Sequence, residues 1–284
     1  MNKIKKISFV SLFVFLFIFS GICCVSADEG GYTIDQCILV DNESVSFIIK
    51  GVEIDETWGT AFKVFLENKT SKNLMFTIDS SSVNGYNCDP FWASEVAAGK
   101  KENTDITFYD LEESNISAID KWTFVLDIFD LDDWLADSLI KESFTIYPTG
   151  LDEASVVVPE RRKTDTEKII YSDDRFDFII LDTSVDEIWG YNINCYLDNK
   201  TDNNIMFSWE NVSVNGFMCD PFWATEIPAH TKAYNSVSFY DSQLNENNLT
   251  YDEISDIEFT LCMNNSDDWD TGAVVENNLT YTVG

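Results

Sequence analysis

Carboxylates dominate the reactive side chains of this sequence. Fifty Asp and Glu stand against 18 Lys and Arg and a single histidine, for a formal charge of −32. Clustered oxygen donors suit hard divalent cations, and calcium is the one that extracellular modules bind in such loops. One acidic loop carries Asp130, Asp132 and Asp133, and a related one carries Asp267 and Asp268. Asp55-Glu56 and Asp186-Glu187 form a second candidate pair. None has EF-hand spacing, and the competing reading is a solvated acidic loop. Paired carboxylates also serve glycoside hydrolysis, but among so many acids chance proximity is expected. His230 has the chemistry of a general base, yet it occupies a turn where the related stretch has Gly99. No Gly-x-Ser-x-Gly elbow, phosphate loop or His-Glu-x-x-His motif is present. The chain reads as a non-enzyme, with no cofactor beyond a possible structural calcium.

Other residue types suggest recognition. Trp58, Trp134, Trp189 and Trp269 are the candidate ligand residues, Trp58 and Trp134 first because they fall in predicted loops where an indole face is free to stack; the competing reading is that the recurring tryptophans, Trp92 and Trp223 included, plug the sandwich core and its ends. Five cysteines follow residue 27, so a monomer keeps at least one thiol. Cys195 sits on an inward strand phase and Cys262 on the phase opposite Leu261 and Met263, which argues against pairing them. Cys88 and Cys219 occupy equivalent positions and are the candidate bridge, between repeats or between chains. Asn-x-Ser/Thr acceptors for N-glycosylation stand at Asn42, Asn68, Asn115, Asn199, Asn211, Asn248, Asn264 and Asn278.

These residues recur because the chain is duplicated. Residues 83–95 read Val-Asn-Gly-Tyr-Asn-Cys-Asp-Pro-Phe-Trp-Ala-Ser-Glu, and residues 214–226 read Val-Asn-Gly-Phe-Met-Cys-Asp-Pro-Phe-Trp-Ala-Thr-Glu. The elements that must hold them are strands. Phe62, Val64 and Leu66 lie on one face at a spacing of two, as do Ile193, Cys195 and Leu197, which is the period of a half-buried strand. Asn84-Gly85 and Asn215-Gly216 predict type I′ hairpin turns. Asp-Pro in Asp89-Pro90-Phe91-Trp92 predicts a strand edge or a crossover rather than a central strand. Asp110 is placed to cap a short helical turn. Seven or eight short strands per repeat predict an all-β fold of two tandem immunoglobulin-like β-sandwich domains. The expected divisions are a signal peptide at 1–27, repeat one at 28–147, a linker at 148–163 and repeat two at 164–284. Val156-Val157-Val158 is expected to add an edge strand.

The runs from Asn68 to Phe76, Ser82 to Tyr86, Asp89 to Ala93 and Ala98 to Lys101, with their second copies, resemble uncharacterised immunoglobulin-like domains. Such domains occur in exported proteins and lipoproteins of gut Firmicutes and anaerobic archaea, and are similar to the immunoprotective extracellular immunoglobulin-like group. The resemblance covers both repeats and implies a sandwich fold, with no activity and no site residues.

The N-terminus agrees with export. Lys3, Lys5 and Lys6 precede an apolar run, Ile7–Phe19, and Val25-Ser26-Ala27 supplies small residues for cleavage. The run is short for a membrane span, so a membrane is involved only through this segment left uncleaved. The acidic balance disfavours nucleic acid, which needs Lys and Arg against phosphate. The expectation is a secreted or surface protein of a prokaryote that acts by binding, adhesion or spacing, with a protein or glycan partner. The alternative is a carbohydrate-binding module, with calcium as its candidate stabiliser.

Overall fold

The computed structural model describes residues 25–28 and 31–283, except 56, 110, 134 and 222. The apolar run of the expected signal peptide therefore lies outside the described residues, as do Trp134, Glu56 and Asp110. Among the described residues no helix is long and apolar enough to cross a membrane.

The chain is all β. Strand β1 (Val25–Asp28), which spans the expected cleavage position, pairs with β2 (Tyr32–Ile34). The first repeat then runs through β3 (Cys37–Asp41), β4 (Val45–Asp55), β5 (Gly59–Asn68), β6 (Leu74–Val83), β7 (Tyr86–Asn87), β8 (Ala93–Val96), β9 (Lys101–Phe108), β10 (Trp122–Asp130) and β11 (Ile140–Ile146). The second has β12 (Lys168–Ser172), β13 (Phe176–Asp186), β14 (Gly190–Asn199), β15 (Ile205–Val214), β16 (Phe217–Met218), β17 (Ala224–Ile227), β18 (Thr231–Phe239), helix α1 (Asp241–Glu246), β19 (Asp256–Asn265) and β20 (Ala273–Thr282).

Strand order repeats as the sequence does. In the first half β3-β4-β5-β9 form one sheet, and β11-β10-β6 with β7 and β8 form the facing one; β12-β13-β14-β18 and β20-β19-β15 with β16 and β17 repeat that order. Third and seventh strands pair in one sheet while fourth, eighth and ninth pair in the other. That is an immunoglobulin-type Greek key. Period two does the work. On β5, Phe62, Val64 and Leu66 are buried while Lys63 and Phe65 turn outward. Inward rings from both sheets meet in the core, with Phe62 4.7 Å and Phe108 5.2 Å from the Trp122 ring. In the second half Phe176 meets Phe207 and Phe178 meets Trp209.

Turn chemistry follows the sequence. Asn84 and Gly85 have φ of 48° and 85°, and Asn215 and Gly216 have 50° and 80°, the pair of positive values that a type I′ turn requires. Asp89-Pro90-Phe91-Trp92 crosses from β7 to β8 without strand structure. The stretch after Asp110 forms turns at residues 112–115, and in the second repeat the short helix α1 has Tyr240 at its N-cap, with no side-chain cap bond.

One expectation is corrected. Val156–Val158 adds no strand. A short 3-10 turn at Glu153–Ser155 precedes it, and Val158 covers Gly85, whose missing Cβ would lie 3.1 Å from the valine. The halves also share a sheet, a contact the two-domain reading does not include. Tyr86 of β7 pairs in parallel with Lys232 of β18, which fuses two sheets into one of nine strands. Tyr86 is fully buried there, its ring stacked on Tyr234 at 5.9 Å and its hydroxyl donating to the Pro159 carbonyl at 2.9 Å. Arg161 forms a two-pronged ion pair with Glu167 and lies over the Tyr196 ring at 5.1 Å. Tyr196, Ile179 and Leu181 consequently belong to the first core although they come from the second repeat.

Candidate functional site: a polar groove on the second repeat

On β14 the inward residues Ile193 and Cys195 are fully buried. Alternation turns Asn192 and Asn194 to the other face. Register sets each asparagine between two partners: Ser184, Asn192 and Ser238 lie abreast, as do Asp182, Asn194 and Ser236. The side chains are wired together. Asn194 donates to Asp182 at 2.7 Å and to Ser184 at 3.1 Å, and accepts from Ser236 at 2.7 Å. Ser238 donates to the Asn192 carbonyl oxygen at 2.6 Å.

The β13–β14 turn closes one end of this lattice. Asp186 accepts the backbone N–H of Ile188 at 2.7 Å and of Trp189 at 2.9 Å. Those two N–H groups, Trp189 first, hold its carboxyl below the usual range against a smaller effect of burial. Gly190 follows at φ 77°, where any Cβ would collide with the Phe239 carbonyl oxygen at 2.4 Å. The chain thus delivers the Trp189 indole outward, 53% exposed and 6.2 Å from the Tyr240 ring. Between indole and lattice lies a groove of about 460 Å³. Its lining combines amide and hydroxyl groups with one carboxylate and one large aromatic face, a composition suited to binding a polar ligand.

The other expected site residues fall elsewhere. Trp58 occupies the matching turn of the first half, held by Asp55 in the same way and 63% exposed. Trp269 is exposed on the β19–β20 loop, from the facing sheet. Trp92 packs edge-on against Phe47, and buried Trp223 donates to Asn235.

Asp130 is already committed, paired with Lys72 at 2.6 Å and accepting the Asp132 N–H at 3.1 Å. Lys72 holds its carboxyl below the usual range. In the second loop the Asp267 N–H is taken by Asn265, and Asp268 precedes a 3-10 turn. Among the described residues no three His, Cys, Asp or Glu side chains converge as a metal site.

Asn68 and Asn199 are fully buried, each amide nitrogen donating to backbone carbonyls, so the folded chain has no room for a glycan there. Asn42, Asn115, Asn211, Asn248 and Asn278 are exposed, and Asn264 is half-buried. Cys88 packs against the first core and Cys219 within the second. Cys195 and Cys262 are free thiols, pushed up by burial, Cys262 to about 11. His230 sits in its turn at φ 54° and meets the exposed Asp202 at 2.7 Å.

The groove's asparagines and serines are residues that the search for charged loops and motifs passes over. Alignment of the repeats carries the signal. Asn192, Asn194, Ser236 and Ser238 stand where the first repeat has Ala61, Lys63, Asp105 and Thr107.

Fold and groove together define an all-β protein of immunoglobulin-like sandwich halves with an open polar face. No family model and no curated relative matches the chain. Among solved structures, the Salmonella enterica SafA pilin in complex with the SafB chaperone is similar over 86% of this chain and 98% of that one, at 10% identity and a TM-score of 0.23.

Proposed function

We propose that this chain is an exported protein of a prokaryotic surface or exterior, of the immunoglobulin-like group it resembles. It acts by binding, as an adhesion or spacer module, toward a protein or glycan partner. The second-repeat groove carries the reading: a preorganised polar lattice beside an exposed indole, set on paired strands rather than on a mobile loop. Composition supports the exterior location, since a charge of −32 keeps a chain soluble and repels phosphate backbones. Retention of the purified chain on isolated envelopes tests it, together with thermal shifts against wall and envelope extracts, calcium and chelator. A ligand at one hundred times its Kd adds about 2.7 kcal/mol of stability. Absence of both retention and shift across all extracts would remove the binding reading, and a shift with calcium alone would mark the acidic loops as structural sites. N-terminal sequencing of the exported protein checks cleavage after Ala27.

A further inference from the structure

We infer that the second-repeat groove is a site for a neutral saccharide, and that the matching face of the first repeat is not. The inference rests on the binding reading and names the ligand class of that site.

Hydroxyl-rich ligands need donors and acceptors side by side, and the lattice supplies both. Ser236 and Ser238 spend their protons on Asn194 and Asn192, which leaves their oxygen lone pairs facing outward as acceptors. Ser184 accepts from Asn194 and keeps its own proton to give. The internal bonds fix these side chains before a ligand arrives, so little rotamer entropy remains to be lost on binding. Each row crosses three strands, a span of roughly 10 Å. Beside the rows, the Trp189 face offers the apolar surface that the C–H side of a sugar ring requires. Charge selects against acids: the groove edge carries Asp182 and Asp186, and the whole chain is strongly negative.

The first repeat provides the contrast within one molecule. It keeps the exposed tryptophan, Trp58, and its turn. Its lattice is gone. Lys63 stands in place of Asn194 and is held by Glu53 at 2.5 Å and Asp105 at 2.8 Å. Ala61 replaces Asn192, so the amide is missing there. That is the ordinary charged outer face of a half-buried sheet.

The test uses the full-length chain against immobilised neutral gluco-, manno-, galacto- and N-acetylgluco-oligosaccharides, with uronic-acid oligosaccharides as anionic counterparts. Affinities follow from titration calorimetry and tryptophan fluorescence. At least one neutral oligosaccharide should bind, and its uronic counterpart should bind more weakly. Trp189→Ala should weaken binding by tenfold or more, about 1.4 kcal/mol, and Trp58→Ala by less than twofold. Ser236→Arg, an exposed change that fills the groove without touching the core, guards against misfolding as the cause and should abolish binding. Equal loss in Trp58→Ala and Trp189→Ala, unchanged affinity in Ser236→Arg, or preference for the uronic series would overturn the inference. If no oligosaccharide binds while envelope proteins still retain the chain, the saccharide assignment fails and the binding reading stands. If nothing is retained at all, both fail.

Discussion

Replacing Asn68 by alanine tests the account of how each sandwich is closed. The side chain is fully buried and makes four hydrogen bonds. Its amide nitrogen donates to the Lys72 carbonyl at 2.7 Å and the Val96 carbonyl at 2.8 Å. Its oxygen accepts the Thr70 N–H at 2.9 Å and hydroxyl at 2.7 Å. It therefore ties the β5–β6 turn to the end of β8. A net hydrogen bond contributes about 1 kcal/mol, and a buried partner left unsatisfied costs about 1–3 kcal/mol. The bond to Val96 lies inside, whereas Thr70 and Lys72 can reach water. Alanine should thus cost about 3–4 kcal/mol, a large share of the roughly 5–15 kcal/mol that holds a domain together. Asn68→Asp should be at least as damaging near neutral pH, because an anion would then face two carbonyl oxygens. Urea unfolding followed by tryptophan fluorescence, extrapolated linearly to water, measures the loss. Asn199→Ala should behave alike, since its amide meets the Asn203 and Ile227 carbonyls at 2.8 and 2.9 Å. A loss under about 1 kcal/mol, or a glycan on Asn68 of folded protein made in a glycosylating host, would refute the reasoning.

Gly190→Ala should cost well over 1 kcal/mol in the same assay, because the new Cβ meets the Phe239 carbonyl oxygen at 2.4 Å; Gly216→Ala, at φ 80° with open space around it, should cost only about 1 kcal/mol. Tyr86→Ala removes the stack on Tyr234 and the bond to Pro159, so trypsin should cut faster at Arg161, Arg162 or Lys163, while an unchanged rate would show that this ring does not hold the junction. Burial alone would raise the Asp173 carboxyl, but N–H groups of Arg175 and Phe176, the Arg175 guanidinium and the Tyr171 hydroxyl pull it down to about 2 from 3.8. A depressed carboxyl stabilises the fold above its unfolded value, and that contribution is lost as pH falls from about 4 toward 2. Asp173→Asn should therefore flatten the acid limb of stability in that window.

Much of the fold was legible because it is local. Alternation on β5 and β14, the Asn-Gly turns and the Asp-Pro crossover each depend on neighbours in sequence, and each lies where residue chemistry puts it. What escaped depends on contacts that break the repeat symmetry. Tyr86 and Asn87 dock on the second half, whereas their counterparts Phe217 and Met218 remain exposed. A pattern common to both copies cannot announce a contact that only one makes. The Asn-Lys-Thr runs misled for a related reason. The same atoms that suit a glycan acceptor also suit a turn in which threonine bonds back to asparagine. Burial decides between those uses, and burial is a property of the fold. The groove was hidden because neutral amides and hydroxyls have no motif. Only their placement on three adjacent strands makes a surface of them.

That asymmetry bears on how a duplicated protein binds. Two equal sites on one chain would gain effective concentration when both engage one surface. Here the outward faces have diverged. The first carries an ion-paired Lys63 and the second an amide and hydroxyl lattice around Asn194. The junction has diverged too, since the first half supplies the docking hairpin and the second the receiving strand. Tyr86, Tyr234, Tyr196 and Arg161 pack together there, so the linker does not set a range of separations between the halves. The geometry fits a division of labour. One half presents the groove, and the other holds that half through the Tyr86 junction. On this view Lys63→Asn with Ala61→Asn, Asp105→Ser and Glu53→Ser, which together with Thr107 rebuilds the amide and hydroxyl positions of the second-repeat rows in the first, should give the chain a second site. The stoichiometry in calorimetry should then rise from one toward two. If the rebuilt face stays silent while Trp189→Ala abolishes binding, then elements beyond the lattice and the indole make the second repeat a site.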